Sequence, residues 1–338
     1  LGDPATLAYA LDGHYSAMMW PESAERLLAI AEEIVTLAQQ VGDEERATAG
    51  RLYRVNSNME LGRMMEAEEE LEVVAEEAAA LRQPAQLWMS TASRANLALF
   101  QGRFDDARPL IEEAAALGER AQRRDSVLSY RLQRFMLHRE IGGDPEVEQL
   151  IDAAVHEFPR RLVFRCALAY IHTRVGDRRR AEANIDDLAG QDFASIQRDN
   201  EYLFSLAFLA DAVHALGDVG AAAVLYDLLV PYAHLSAVNT DEIATGSVFR
   251  PLGMLAAVMA RWNDASSHFE SAIAHNTAMG SRPWAAHSRH DYGLMLLARD
   301  VAGDNDRAEE LLAAAREEYE SLGMEPWAKQ VARVSTTA

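Results

Sequence analysis

The sequence predicts an all-α protein, a right-handed α-solenoid of seven or eight stacked helical hairpins. Three observations carry this expectation. One short phrase returns seven times: a small residue, one or two polar residues, then an alanine five positions on. It reads GRMMEA at Gly62–Ala67, GRFDDA at Gly102–Ala107, GDRRRA at Gly176–Ala181 and GDVGAA at Gly217–Ala222. It recurs as ARWNDA at Ala260–Ala265 and GDNDRA at Gly303–Ala308, with a degraded copy, GGDPEV, at Gly142–Val147. The starts lie 40, 40, 34, 41, 43 and 43 residues apart, and self-similarity at such a period marks stacked helical repeats. Apolar residues also recur with helical spacing almost everywhere, and strand alternation is almost absent.

The helices can be justified in order. Leu27, Leu28, Ala31, Ile34, Val35 and Ala38 form one apolar stripe within residues 24–41. Leu110, Ile111, Ala114 and Leu117 repeat the pattern, as do Leu311, Leu312, Ala315 and Tyr319. Glu32, Glu33, Glu68, Glu69, Glu70, Glu76 and Glu77 fall on the opposite, solvated faces. The repeated phrase is the turn inside each hairpin. Its glycine ends the first helix, because a C-terminal cap commonly needs a left-handed backbone. The aspartate after several of these glycines caps the second helix. The alanine sits where the two helices cross closely, and Phe104 and Trp262 pin the hairpin just after the turn.

The expected pairs are 5–18 with 22–41, 43–61 with 64–81, 84–101 with 104–122, and 125–141 with 146–157. Four more follow: 160–175 with 178–190, 199–216 with 218–234, 240–259 with 262–279, and 282–300 with 304–322. A last helix near 326–334 covers the open end, so that 325–338 form a cap and tail. Segments 190–199 and 234–246 are the least regular and read as longer loops. No linker rich in Pro, Gly or Ser divides the array, so residues 1–338 are expected to be a single helical-repeat domain. The opening LGDPAT has neither an initiator Met nor a signal-peptide pattern. It reads as a fragment of a larger protein.

Composition narrows function more than it names it. The chain has 338 residues, 49% hydrophobic and 25% charged, with a net charge of −21. Nucleic acid binding relies on cations meeting phosphates, so direct nucleic acid binding is not expected. No run approaches the 18 or so apolar residues of a membrane span, so no membrane partner is expected. The lone Cys166 leaves no internal disulfide and no multi-cysteine zinc site, and points to a reducing, cytoplasmic setting. Charge is uneven: residues 120–180 hold 13 Arg against 8 acids. That segment is either a set of solvated helix faces with Arg–Glu pairs or a basic patch that receives an acidic ligand.

Chemistry-bearing motifs are sparse. A Walker A loop needs a lysine to reach the phosphates, and the only lysine is Lys329, with no glycine-rich loop before it. No catalytic residues, cofactor or metal are therefore expected. His287 and His290, with Asp291 beside them, have helical spacing but no HExxH motif, and read as polar surface histidines. Asp211 and His214 read as an acid–histidine contact along one helix. Cys166, amid apolar neighbours, reads as buried and inert. Trp88 and Trp284 read as core, and the methionines as packing filler.

The Gly–aromatic–Ala phrase on an antiparallel helix pair resembles the tetratricopeptide repeat, in a variety with longer helices. The run MGSRPWAAHSRHDYGLMLLARDVAGDNDRAEELLAAA, with SLGM at Ser321–Met324, is more specific. Over residues 279–324 it resembles the C-terminal repeat region of large bacterial signal-transducing ATPases, which include maltose-regulator and large LuxR-type regulators and ATPase-repeat proteins fused to nucleotide cyclases. The resemblance implies a sensor and protein-contact arm serving an ATPase and an output domain. This chain contains neither.

The 40-residue spacing of the first three turns places Arg54, Arg94 and Arg134 at one register of three successive hairpins, and Asn56 and Asn96 at another. The tetratricopeptide resemblance puts the asparagine register on the concave groove, where Met136, Tyr170, Asp211, Met254 and His290 follow it. Two readings stand. Asn amides and Arg forks hold a peptide, or the arginines pair with glutamates such as Glu60 or Glu112 and set the repeat register. Pairing is favoured for Arg54 and Arg94, and both readings stand for Arg134.

The leading functional expectation is a non-catalytic sensor or interaction arm of a bacterial signalling or transcriptional regulator. It would bind a protein, peptide or small acidic ligand in the groove between about residues 90 and 255. Arg131, Arg134, Arg139 and Arg165 are the expected anion contacts, with Asn56, Asn96, Tyr170, Asp211 and Arg250 completing the site. The alternatives are a free-standing scaffold, or a small-molecule receptor or enzyme with a closed pocket of convergent Arg, His and Tyr side chains.

Overall fold

The computed structural model describes residues 2–190, 192–239 and 241–335. Among these described residues, eight antiparallel helix pairs follow one another. They are α1 (Pro4–Ala17) with α2 (Ala24–Val41), α3 (Glu44–Glu60) with α4 (Met64–Leu81), and α5 (Pro84–Gln101) with α6 (Phe104–Arg120). Then come α7 (Asp125–Ile141) with α8 (Val147–Glu157), α9 (Val163–Arg174) with α10 (Arg178–Ala189), and α11 (Tyr202–Leu216) with α12 (Val219–Leu229). The last pairs are α13 (Phe249–Val258) with α14 (Trp262–Ala278), and α15 (Arg282–Arg299) with α16 (Asp304–Ser321). Helix α17 (Glu325–Ser335) packs on α16. The all-α repeat architecture is as expected. The tail beyond residue 335 lies outside the described residues.

The repeated phrase does the local work its residues dictate. Gly102 has φ +82°, and its N–H and that of Arg103 close the α5 carbonyls of Leu99 and Ala98, a left-handed helix stop. The Asp177 and Asp218 side chains accept from the N–H of Arg180 and Ala221, at 3.1 and 3.0 Å. The phrase alanines Ala67, Ala107, Ala181, Ala222, Ala265 and Ala308 are all buried at helix crossings. The last phrase differs in detail. Asp300 takes the left-handed stop of α15, and Gly303 instead precedes α16.

The largest correction falls at residues 240–259, expected as one helix. Helix α13 begins only at Phe249. Before it, β1 (Ser236–Asn239) and β2 (Ile243–Ser247) form an antiparallel hairpin, pairing Ser236 with Ser247 and Asn239 with Ile243. The hairpin packs against α3, α5, α7, α11, α14 and α15. It therefore lies inside the superhelix, buried on both faces. A strand buried on both faces shows no apolar–polar alternation, which is why its sequence pattern is silent.

The second half of the array also returns to the first. Gly62, the turn of the second hairpin, faces His275, and Gly102, the turn of the third, faces Pro283 and Leu322. Gly142, the turn of the fourth, faces Pro326 on α17. Ser281 Oγ donates to the Phe100 carbonyl at 2.7 Å, and Trp327 Nε1 donates to the Arg139 carbonyl at 2.9 Å. These contacts make a seam between hairpins two to four and hairpins seven and eight. A solenoid held only by neighbouring repeats would lack it.

Candidate ligand cleft

The trough expected on the concave side of the central repeats is filled by the chain itself. Asn96 Nδ2 donates to the Asn239 carbonyl at 3.0 Å, and Gln133 Nε2 donates to the carbonyls of Asp241 at 3.2 Å and Ala92 at 2.9 Å. Amides on α5 and α7, each the first helix of its hairpin, thus hold an extended backbone, as expected, but that backbone is the internal β-hairpin. Leu235, Val238, Ile243 and Val248 are 6% exposed or less. Burying each such side chain is worth about 1.5–3 kcal/mol, so the hairpin is a permanent part of the core.

Behind the hairpin lies a buried ionic interior. Helix α7 contributes Arg139 and Glu140, α11 contributes Asp211, α13 contributes Arg250, and α15 contributes His287, His290 and Asp291. The guanidinium of Arg139 is fully buried and pairs with Glu140, whose other oxygen meets His287 Nε2 at 2.9 Å. Arg250 donates to Asp291 at 2.7 Å and to Asp211 at 2.8 Å. Arg139 lies 4.6 Å from the ring centre of Trp284, 5.1 Å from that of Trp327 and 5.2 Å from that of Tyr170, close enough for cation–π attraction. Burial would raise the Glu140 carboxyl, but Arg139 and His287 hold it below the usual carboxylate range. Burial lowers His287 despite Glu140, leaving the ring neutral. The Nε2 hydrogen then goes to Glu140, and Nδ1 accepts from the Tyr319 hydroxyl at 2.8 Å.

This interior corrects several expectations. Asp211 and Arg250 are buried partners of each other, not groove contacts. His287 and His290 are buried, at 0% and 1% exposure, rather than surface histidines. Trp88, Trp284 and Cys166 are core residues as expected, and burial pushes the Cys166 thiol up, away from reactivity.

The basic segment divides. Arg131 pairs with Glu157 at 2.8 Å and lies over Phe158, Arg134 pairs with Asp144, and Arg165 pairs with Asp187. A ligand carboxylate would have to displace a carboxylate already in place at each. Arg54 pairs with Glu70 at 3.2 Å rather than with Glu60 or Glu112, and Arg94 is exposed. The arginine register is therefore no continuous ladder.

Two of the expected site residues, Arg139 and Tyr170, do meet at a cleft of about 480 Å³ between α7, α8, α9 and the start of α17. Phe135, Ile171 and Pro326 supply apolar wall, and His138 and Arg174 also line it. Its polar lining is mixed: Arg139, Arg174, Tyr170 and His138 supply hydrogen-bond donors, and Asp144 and Glu148 supply carboxylates. Arg139 Nε and Nη2 are buried and make no hydrogen bond among the described residues, though Nη2 lies 3.8 Å from an Asp211 oxygen. Arg174 lies 4.5 Å from the Trp327 ring centre and donates to Gln330 at 2.9 Å. It has no carboxylate partner among the described residues. His138 Nδ1 accepts from the Asp144 N–H at 3.0 Å, and burial lowers the ring, leaving Nε2–H as a donor. Glu148 at the rim lies near His172 and Arg180. The arrangement suits a carboxylate or another oxyanion. Sequence reasoning missed Arg174 and His138. The signal was the degraded GGDPEV phrase, where the period drops to 34 and the short α8 leaves room beside α9.

Among the described residues, no group of three or more His, Cys, Asp or Glu is placed to hold a metal ion, and no helix is long and apolar enough to cross a membrane.

No family model matches this chain, and no curated protein matches it. A similar solved structure is the crystal structure of Rap protein complexed with Competence and Sporulation Factor. The TM-score is 0.52 at 13% identity, over 98% of this chain and 96% of that one. At that identity the likeness is one of fold, and it supports a tetratricopeptide-like helical repeat over nearly the full length.

Proposed function

We propose that this chain is a non-catalytic binding module, a sensor or interaction arm that takes an acidic group of a peptide, protein or small ligand in the cleft beside Arg174. The observation that carries the reading is the convergence of donors there: Arg139, Arg174, Tyr170 and His138 line one cleft, and no carboxylate pairs with Arg174 among the described residues. The similar Rap structure holds a bound factor, so a superhelix of this kind can serve a ligand. The resemblance of residues 279–324 to the repeat arm of bacterial signalling ATPases supports a place beside an ATPase and output domain, in a cytoplasmic regulator. The missing P-loop lysine supports a role without nucleotide hydrolysis.

Trp327 lies under Arg174 and reports on the cleft. Succinate and a short Asp-rich peptide should change its fluorescence saturably at low salt and bind more weakly as salt is added. Arg174→Ala and Tyr170→Phe should each weaken binding, the former by about 1.5–3 kcal/mol. Unchanged affinity in both variants, or no saturable signal with either probe, sinks the reading.

A further inference from the structure

We propose that a second cleft, at the N-terminal mouth of the superhelix, binds a guanidinium or ammonium group between aromatic walls and the carboxylates at the tip of the β-hairpin. This site is separate from the donor-lined cleft and has the opposite chemistry. Its volume is about 240 Å³, and Asn56 also lines it. Tyr15 and Tyr53 stack there with ring centres 4.0 Å apart, and Trp88 lines the cleft under Arg123, 5.2 Å from its ring centre. Aromatic faces beside carboxylates are a recurring means of holding organic cations.

The carboxylates are not matched by the cations present. Arg161 is shared between Glu201 and Glu242, donating to Glu242 Oε1 at 2.6 Å. Glu242 is 4% exposed, and its Oε2 is buried with no hydrogen bond among the described residues. Arg123 is engaged by Asp125. Among the described residues, the Asp241 carboxylate meets Ser129 Oγ at 3.5 Å and its own backbone N–H, and makes no ion pair. Among the described residues, five carboxylates (Asp125, Asp199, Glu201, Asp241 and Glu242) therefore face two guanidiniums, Arg123 and Arg161. Leaving a buried carboxylate oxygen unpaired is costly. Burial first, and the Glu242 charge second, push Asp241 and Glu201 upward. At Asp241 a proton thus stands where no ion pair is made among the described residues, while Glu201 shares Arg161 with Glu242, and an arriving cation would displace these protons.

The test is calorimetric titration of agmatine, which carries both cationic groups, into the full chain at low salt and at pH 6 and 8. Saturable binding is expected at pH 8. It should be weaker at pH 6, where Asp241 and Glu201 retain their protons beside Asp125, Asp199, Glu242, Arg123, Arg161 and Tyr53. Proton release should appear as a heat that changes with the buffer's ionisation enthalpy. Asp241→Asn and Glu242→Gln should each weaken binding by about tenfold, while Arg174→Ala leaves it unchanged. Asp241→Asn removes surplus negative charge without breaking an ion pair, so it should melt no lower than the parent. Absence of saturable binding at pH 8 overturns the proposal. So does parental affinity in Asp241→Asn, which spares the Arg161 pairs and stays informative even if Glu242→Gln misfolds.

Discussion

At Gly62, Gly102 and Gly142 the turn glycine has a positive φ and a close neighbour. At Gly176 and Gly217 it has the same positive φ, and a Cβ there would meet nothing within 4 Å. A Cβ on Gly62 would stand 2.6 Å from His275 Nε2, and one on Gly102 would stand 3.0 Å from both Pro283 and Leu322. One phrase therefore serves two purposes. In hairpins five and six it only reverses the chain. In hairpins two to four it also presents a flat edge to the C-terminal repeats. The spacing follows the same division. The seam turns start 40 and 40 residues apart, while the turns beyond them drift from 34 to 43. Three turns that meet one surface must stay in step, and turns that face solvent need not.

The sharpest way to break this comparison is to remove the charge buried behind the seam. Arg139→Met leaves Glu140 and Asp211 in the interior without one of their cations. Loss of one partner from a buried ion pair costs about 3–5 kcal/mol. The parent should melt in one transition because the seam couples distant repeats, and the variant should melt lower and in two steps. Arg178→Met, which removes an exposed pair with Glu182, should stay within about 0.5 kcal/mol of the parent. Equal melting of the two variants would show that the seam carries no coupling.

A smaller effect separates the turns themselves. Gly102→Val and Gly217→Val share a left-handed strain of about 1–2 kcal/mol. Only the former also drives methyl groups into Pro283 and Leu322, adding about 1–3 kcal/mol of overpacking. Urea midpoints should rank parent, then Gly217→Val, then Gly102→Val. Identical midpoints for the two variants would mean that the seam yields at no cost.

The smallest expected effect concerns one hydrogen bond. Ser281→Ala frees the buried Phe100 carbonyl and should cost about 1 kcal/mol. Ser271→Ala removes an exposed bond within its own helix and should be close to neutral. Thermal melts of the pair sharpen the comparison, and a reversed order would refute the seam's role.

Local structure was legible because local residues decide it. The turn glycines, the Asp177 and Asp218 caps and the crossing alanines each act within a few residues of themselves, so helix pairs and turns could be placed from spacing alone. The β-hairpin was not legible. Val238, Ile243 and Ala244 lie among apolar residues on both faces, and nothing nearby separates a doubly buried strand from a buried helix. Of the expected site, Arg139 and Tyr170 meet at the donor-lined cleft, and Asn56 lies at the second. Asn96 and Asp211 were read as groove residues because register identifies the concave side. Register cannot say what fills that side.

The sequence by itself determined the repeat, its turns, the acidic balance and the absence of a P-loop lysine, since all of these reside in composition and short-range spacing. Only the tertiary structure decided that the superhelix returns on itself, that its trough holds its own hairpin, and which charges remain unmatched. Those outcomes depend on residues far apart in the chain, such as Arg139 with His287, Asn96 with Asn239, and Arg161 with Glu242. The physical reason is that burial and pairing are set by the total curvature of eight hairpins, and a change of a few degrees per repeat, invisible in any one of them, would open the seam.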